Sequence, residues 1–128
     1  MKSNDSQIID CLPVPIIVLS SEGPLYKIIR VNNIYIKMVN KKEEELLGHC
    51  LFEIFPDVNN NLPTILPVIQ KAIKTQTNQI APRLRYDLDG IERYWSLEYV
   101  PLVKDGVVIS LIQYTQDITV LIKLGMPL

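Results

Sequence analysis

The chain has 128 residues, 13 basic against 14 acidic, and a net charge of −1, so it reads as one domain able to bury about two-thirds of the surface its unfolded form exposes. Such a balance supplies no field to gather nucleic acid or an anionic membrane. Two cysteines, Cys11 and Cys50, are too few for a disulfide scaffold, although one bridge between them stays open, and a reducing cytoplasm is the expected compartment.

From the N-terminus, Ser3–Ser6 offers capping oxygens and Ile8, Ile9 and Leu12 fall at helical spacing, which predicts a short helix over Gln7–Leu12. Pro13 and Pro15 end it. The run Val14–Leu19 is far below the roughly 20 apolar residues that span a bilayer, and neither signal peptide nor membrane anchor is expected within the chain. Ile16–Ser20 favours a strand, Ser21-Glu22-Gly23-Pro24 reverses the chain, and Leu25–Val31 returns as a second strand.

At Asn32 the period changes. Ile34, Met38 and Val39 recur at helical spacing, with Asn32 or Asn33 as the cap and Asn40-Lys41-Lys42 as the close. Glu43-Glu44-Glu45 suits the positive end of a short helix, Glu43–Leu47, stopped by Gly48. Leu51–Phe55 adds another turn or two before Pro56. Asn59-Asn60-Asn61 then caps the longest candidate, Leu62–Gln76, whose Leu62, Ile65, Leu66, Ile69, Ala72 and Ile73 form one stripe. Pro67 inside it predicts a kink or a late start. Three strands close the chain, Gln79–Leu88, Ile91–Val103 and Val107–Gln116, turning at Asp89-Gly90 and Asp105-Gly106.

This order predicts an α+β domain: a five-stranded antiparallel sheet with the helices inserted between strands 2 and 3 packed on one face, plus the short N-terminal helix. The segments Pro15-Ile16-Ile17-Val18-Leu19, Glu22-Gly23, Val31-Asn32, Glu43-Glu44-Glu45-Leu46-Leu47-Gly48, Phe52-Glu53-Ile54-Phe55-Pro56, Tyr99-Val100-Pro101-Leu102, Asp105-Gly106 and Asp117-Ile118-Thr119 together resemble a PAS domain, from about Leu12 to Leu124. The resemblance implies the strand order 2-1-5-4-3 and a small-molecule cavity between sheet and helices. It also implies a sensory input module joined to a histidine kinase, a cyclic-dinucleotide enzyme or a transcription regulator. Residues 1–12 would then form a helical cap, 13–119 the PAS domain and 120–128 the start of an output linker, with Asp117 and Thr119 at the signal output. A ligand-free module for homodimerisation or protein interaction is the alternative; a homodimer and an effector C-terminal to the chain are the expected partners.

Strand alternation locates the cavity wall. A tight Asp89-Gly90 turn sets Arg83 opposite Ser96, Arg85 opposite Tyr94 and Asp87 opposite Glu92, leaving Leu84, Tyr86, Trp95, Leu97 and Tyr99 on the helix side. A three-residue loop at Lys104-Asp105-Gly106 would pair Tyr99 with Leu111, Leu97 with Gln113 and Trp95 with Thr115, so that Gln113 points inward; a two-residue loop would aim Ile112 and Tyr114 inward instead. The candidate pocket is therefore Tyr35, Leu66, Ile69, Trp95, Leu97, Tyr99 and Gln113, aromatic area with a polar group to orient a ligand, against the plain alternative of a packed core. Arg83 and Arg85 would meet an anionic ligand only if the register slips by one.

The cofactor is unknown, with flavin and haem both disfavoured. Light-oxygen-voltage members bond flavin through a cysteine in an Asn-Cys-Arg-Phe setting, whereas this chain has His49-Cys50-Leu51-Phe52. Haem-binding members carry the axial histidine on the longer inserted helix, and Leu62–Gln76 contains none. One histidine without clustered cysteines predicts no metal site. No serine or cysteine has a base and a third partner, and no phosphate-binding glycine loop exists, so catalysis is not expected.

Overall fold

The computed structural model describes residues 9, 11–55 and 61–126 of the chain. Its elements are β1 (Ile16–Ser20), β2 (Ile28–Val31), α1 (Asn33–Val39), α2 (Glu43–Leu46), α3 (Leu51–Ile54), α4 (Leu62–Thr75), β3 (Gln79–Arg85), β4 (Tyr94–Lys104), β5 (Val107–Asp117) and α5 (Thr119–Lys123). All neighbouring strands are antiparallel and the sheet order is β2-β1-β5-β4-β3, as the resemblance implies. Gln7, Ile8 and Asp10 of the predicted N-terminal helix, and Asn59 and Asn60 of the predicted α4 cap, lie outside the described residues.

The helices cover one face of the sheet. Ile17 and Leu19 of β1 pack there with Tyr35, Leu46, Ile65, Ile69 and Leu97 in the main core. Ile16 and Val18 point to the opposite face, where Ile9 is buried on them and Leu12, Ile112 and Tyr114 pack alongside. The N-terminal segment thus shields part of the second face, which explains why β1 is buried on both sides instead of alternating.

Asn32 joins these parts. It is 1 % exposed; its Oδ1 accepts from the amides of Tyr35 at 3.0 Å and Ile16 at 3.1 Å, and its Nδ2 donates to the carbonyls of Val14 at 2.7 Å and Ile9 at 3.3 Å. One side chain therefore caps α1, ties β1 and clamps the N-terminal segment.

Three expectations change. β2 begins at Ile28 because Tyr26 adopts a left-handed backbone, φ 48°, which interrupts the extended run. Ile34 is exposed and Tyr35 is buried in its place, so α1 is phased one residue later. Helix α4 starts at Leu62 and runs through Pro67: the proline is exposed, and the only internal bond it forfeits is the one to the carbonyl of Pro63.

The hairpins explain the rest of the register. Asp89-Gly90 (φ 52° and 75°) and Asp105-Gly106 (φ 51° and 77°) are both two-residue loops with left-handed backbone at each position, the turn that suits the twist of paired strands. Arg85 does pair with Tyr94, and Leu84 with Trp95, but an irregularity between Ala81 and Leu84 shifts the pairing so that Ala81 meets Leu97 and Gln79 meets Tyr99. Arg83, at φ 57°, belongs to this bulge and has no partner at Ser96. Asp87 and Glu92 lie outside the ladder and flank the Leu88–Ile91 bridge. Pro101 falls beyond the last β3 pair, where its missing amide costs no bond to β3.

The β4–β5 loop has two residues, not the three that place Gln113 inward in the sequence reading. A bulge opposite Leu102/Val103 adds a further shift, pairing Tyr99 with Gln113 and Leu97 with Thr115. Two single-residue shifts restore the parity, so Gln113 still faces the helices while Ile112 and Tyr114 face away.

Candidate functional site

A cavity of about 60 Å³ lies between the sheet and the inserted helices. Tyr35, Met38 and Val39 enter from α1, Leu51 and Phe55 from α3 and its C-terminal end, and Ile65 from α4. From the sheet side come Leu84, Tyr86, Trp95 and Leu97, with Gln113 and Thr115 of β5 as neighbours two residues apart. Of the seven residues nominated from sequence, Tyr35, Trp95, Leu97 and Gln113 line the cavity, whereas Leu66, Ile69 and Tyr99 belong to the surrounding core. Met38, Leu51 and Phe55 were not foreseen as wall residues; Met38 and Val39 already shared a helical stripe in the sequence.

The aromatic frame is held in place. Phe55 meets Tyr86 edge-on, with centroids 5.7 Å apart and planes at 81°. The Trp95 indole N–H donates to the Tyr86 carbonyl at 2.8 Å. Burial, and then the neighbouring Tyr86 phenol, push the Tyr35 hydroxyl above its ordinary pKa; burial and Tyr35 do the same to Tyr99. Both phenols stay neutral, because burial disfavours the phenolate.

Two polar atoms here are unmatched. Gln113 is 2 % exposed; its Nε2 donates to Thr115 Oγ1 at 3.1 Å, while its Oε1 has no partner. Tyr99, directly across the strand from Gln113, is fully buried with an unpartnered hydroxyl. A buried hydroxyl without a bond costs about 1–3 kcal/mol. Tyr99→Phe is therefore expected to raise stability by about 1 kcal/mol in urea unfolding; a loss of that size would mean the hydroxyl is bonded.

The residues do not fit a flavin bonded through Cys50. Cys50 is a buried free thiol at the N-cap of α3 and is not on the cavity wall. Glu53 turns back on it, accepting from the Cys50 amide at 3.3 Å; that amide, the Cys50 thiol and His49 hold the Glu53 carboxyl below its usual range. The cavity is also well under the roughly 300 Å³ at which cofactor-sized pockets begin. His49 is exposed and lies 3.4 Å from Glu53. Arg83 and Arg85 are exposed too, and Arg85 turns to Asp87 at 3.3 Å and Glu92 at 3.9 Å, so the register shift does not bring either guanidinium to the cavity. Cys11 is a free thiol as well, so the bridge left open by the sequence is not formed.

Past Thr115, β5 ends in a compact polar junction. Asp117 Oδ1 accepts from the Thr119 amide at 3.0 Å and the Thr119 hydroxyl at 2.5 Å, and Oδ2 accepts from Arg93 Nη1 at 2.7 Å. Thr119 Oγ1 accepts from the Tyr94 amide at 2.9 Å, and the Ile118 amide donates to the Tyr94 carbonyl at 2.8 Å. Asp117 is also the register partner of Trp95, a cavity-wall residue. The start of α5 is thereby bonded to the β4 rung that carries the cavity's indole.

Among the described residues no helix is long and apolar enough to cross a membrane. A family profile described as the PAS fold matches residues 9–122. No curated protein gives a significant match. Among solved structures, the chain is similar to an RNA-binding light-oxygen-voltage receptor, with 19% identity and a TM-score of 0.77 over 94% of this chain and 33% of that one. It is similar to the PAS domain of BvgS from Bordetella pertussis, with 20% identity and a TM-score of 0.73 over 94% of this chain and 91% of that one. A sensory box sensor histidine kinase from Vibrio cholerae follows, with 20% identity and a TM-score of 0.60 over 89% and 88%. The chain spans about a third of the length of the first of these. At such identities the likeness is one of fold.

Proposed function

Because the chain belongs to the PAS-fold family, a family of sensory signalling modules, we propose that it is the cytoplasmic input module of a signal-transduction protein, reading a small molecule in its cavity and relaying occupancy through Asp117 and Thr119. The effector in this reading follows C-terminally and is a histidine kinase, a cyclic-dinucleotide enzyme or a transcription regulator. One observation carries the proposal: a single strand, β5, supplies Gln113 and Thr115 to the cavity and Asp117 to the junction that starts α5. A ligand shifts such a system only by its differential affinity for two positions of that strand. Thermal melts against a metabolite panel test it: a compound that raises the melting temperature of the parent chain, and does so less for Gln113→Leu, is the expected result. No response from the parent to any compound counts against sensing.

The junction has its own pH signature. Partial burial raises the Asp117 pKa, but the Thr119 hydroxyl and amide and the Arg93 guanidinium outweigh it, and the net shift is downward. A lowered folded-state pKa means that the stabilisation is present above the unfolded carboxylate range, about 3.9, and is lost as pH falls through the folded value. Asp117→Asn is therefore expected to cost about 1 kcal/mol near pH 7 and progressively less in acid. A cost that does not change with pH would refute the charge-assisted role.

The ligand-free dimerisation reading draws on α5 and its C-cap, where Val120 and Leu124 are 69% and 67% exposed just past the junction. Light scattering tests this reading: a concentration-independent monomer removes it.

A further inference from the structure

The chemistry of the cavity wall narrows what the proposed sensory site takes, an inference that rests on the sensing reading. Among the described residues, none that lines the cavity is Asp, Glu, Lys, Arg or His. A carboxylate, phosphate or ammonium entering it would lose its hydration without meeting an opposite charge, which buried ions do not tolerate. The wall is instead mostly apolar and aromatic; its non-aromatic polar side chains are Asn61, whose Nδ2 donates to the Arg85 carbonyl at 2.9 Å, and Gln113 and Thr115, which form a small polar spot on β5.

That spot carries one unmatched group. Gln113 Nε2 is satisfied by Thr115, while Oε1, on the same cavity-lining side chain, is buried and unpartnered. An orphaned acceptor is matched only by a donor. The volume of about 60 Å³ limits the guest to a handful of heavy atoms unless the walls move.

We infer that the cavity takes a small, uncharged, largely apolar molecule bearing one hydroxyl or N–H that donates to Gln113 Oε1, the class of short-chain alcohols and primary amides. The isosteric ketone is a poor ligand because it leaves Oε1 unpaired. Butyrate and butylammonium are excluded by their charge.

The test is a titration of the 15N-labelled chain with four probes of matched size, 2-butanol, butanone, butyrate and butylammonium. It follows the Trp95 indole and Gln113 side-chain amide resonances. The alcohol is expected to move both and to bind about tenfold more tightly than the ketone, the weight of one hydrogen bond, with the charged probes moving neither. In Gln113→Met, which keeps the side chain's length, the alcohol and ketone affinities should converge; the parent series decides the matter even if that variant folds poorly. Equal binding of alcohol and ketone, or preferential binding of a charged probe, overturns the inference and leaves the sensing reading intact. Resonances that respond to none of the four overturn the inference and count against sensing with it.

Discussion

Asn32→Ala is expected to destabilise the chain by about 3–4 kcal/mol, the sum of a lost helix cap near 1 kcal/mol and several buried backbone groups stripped of their partners. That is a drop in melting temperature of roughly 10–20 °C for a domain of this size. The magnitude follows from where the four bonds go. The Ile16 and Tyr35 amides and the Val14 and Ile9 carbonyls belong to β1, α1 and the N-terminal segment, and alanine reaches none of them. Water does not readily replace the amide, because the site is 1 % exposed. Asn32→Asp separates the two halves of the role. It keeps the acceptor for Ile16 and Tyr35 but sets a second carboxylate oxygen against the Val14 and Ile9 carbonyls. It should be as damaging as alanine near neutrality and recover in acid, where a protonated carboxyl donates again. Urea unfolding at both pH values checks this; a loss below about 1 kcal/mol for Asn32→Ala would mean that the N-terminal segment is held by its apolar contacts alone.

What the sequence made legible divides along physical lines. Local chemistry read well: Asp89-Gly90 and Asp105-Gly106 require left-handed backbone, and that is where the two hairpins turn. Asn32 or Asn33 before a helical period offers a cap, and Asn32 is the one that caps. Register did not read well, because a bulge is a compromise between two strands and their packing, with no residue signature of its own at Ala81–Leu84 or opposite Leu102/Val103. Gln113 came out facing inward for a reason the sequence did not contain. The two-residue loop turns β5 over, and the bulge turns it back. The cavity wall was half legible for a related reason. Trp95 and Leu97 alternate along a long strand, whereas four-residue helices such as α3 are too short to phase, so Leu51 was not assigned to the wall and Phe55, just past its end, could not be. Leu66 and Ile69 pack in and against the core under α4 but are not on the cavity wall.

The largest effect at the cavity is expected from Trp95→Ala, about 3–5 kcal/mol, the usual cost of truncating a buried aromatic. Trp95 is 6 % exposed and forms cavity wall, so the void left by the indole merges with space already present and the surroundings have little to collapse onto. Trp95→Phe restores most of the packing and forfeits only the 2.8 Å bond to the Tyr86 carbonyl. Its cost should be about 1–2 kcal/mol; a cost equal to that of alanine would make the hydrogen bond, not the packing, the main contribution. The same variant probes the link to the output. Trp95 pairs with Asp117, and its neighbour Tyr94 bonds both Ile118 and Thr119, so a β4 rung loosened by truncation should loosen the start of α5. Asn32→Ala is a matched control, similarly destabilised through backbone groups of Ile9, Val14, Ile16 and Tyr35, none of them a junction residue. In native-state hydrogen exchange, the Ile118 and Thr119 amides should open more readily in Trp95→Ala than in Asn32→Ala once global stability is subtracted. Equal opening in the two variants would mean that the cavity wall and the junction share a strand pair without being energetically coupled through it.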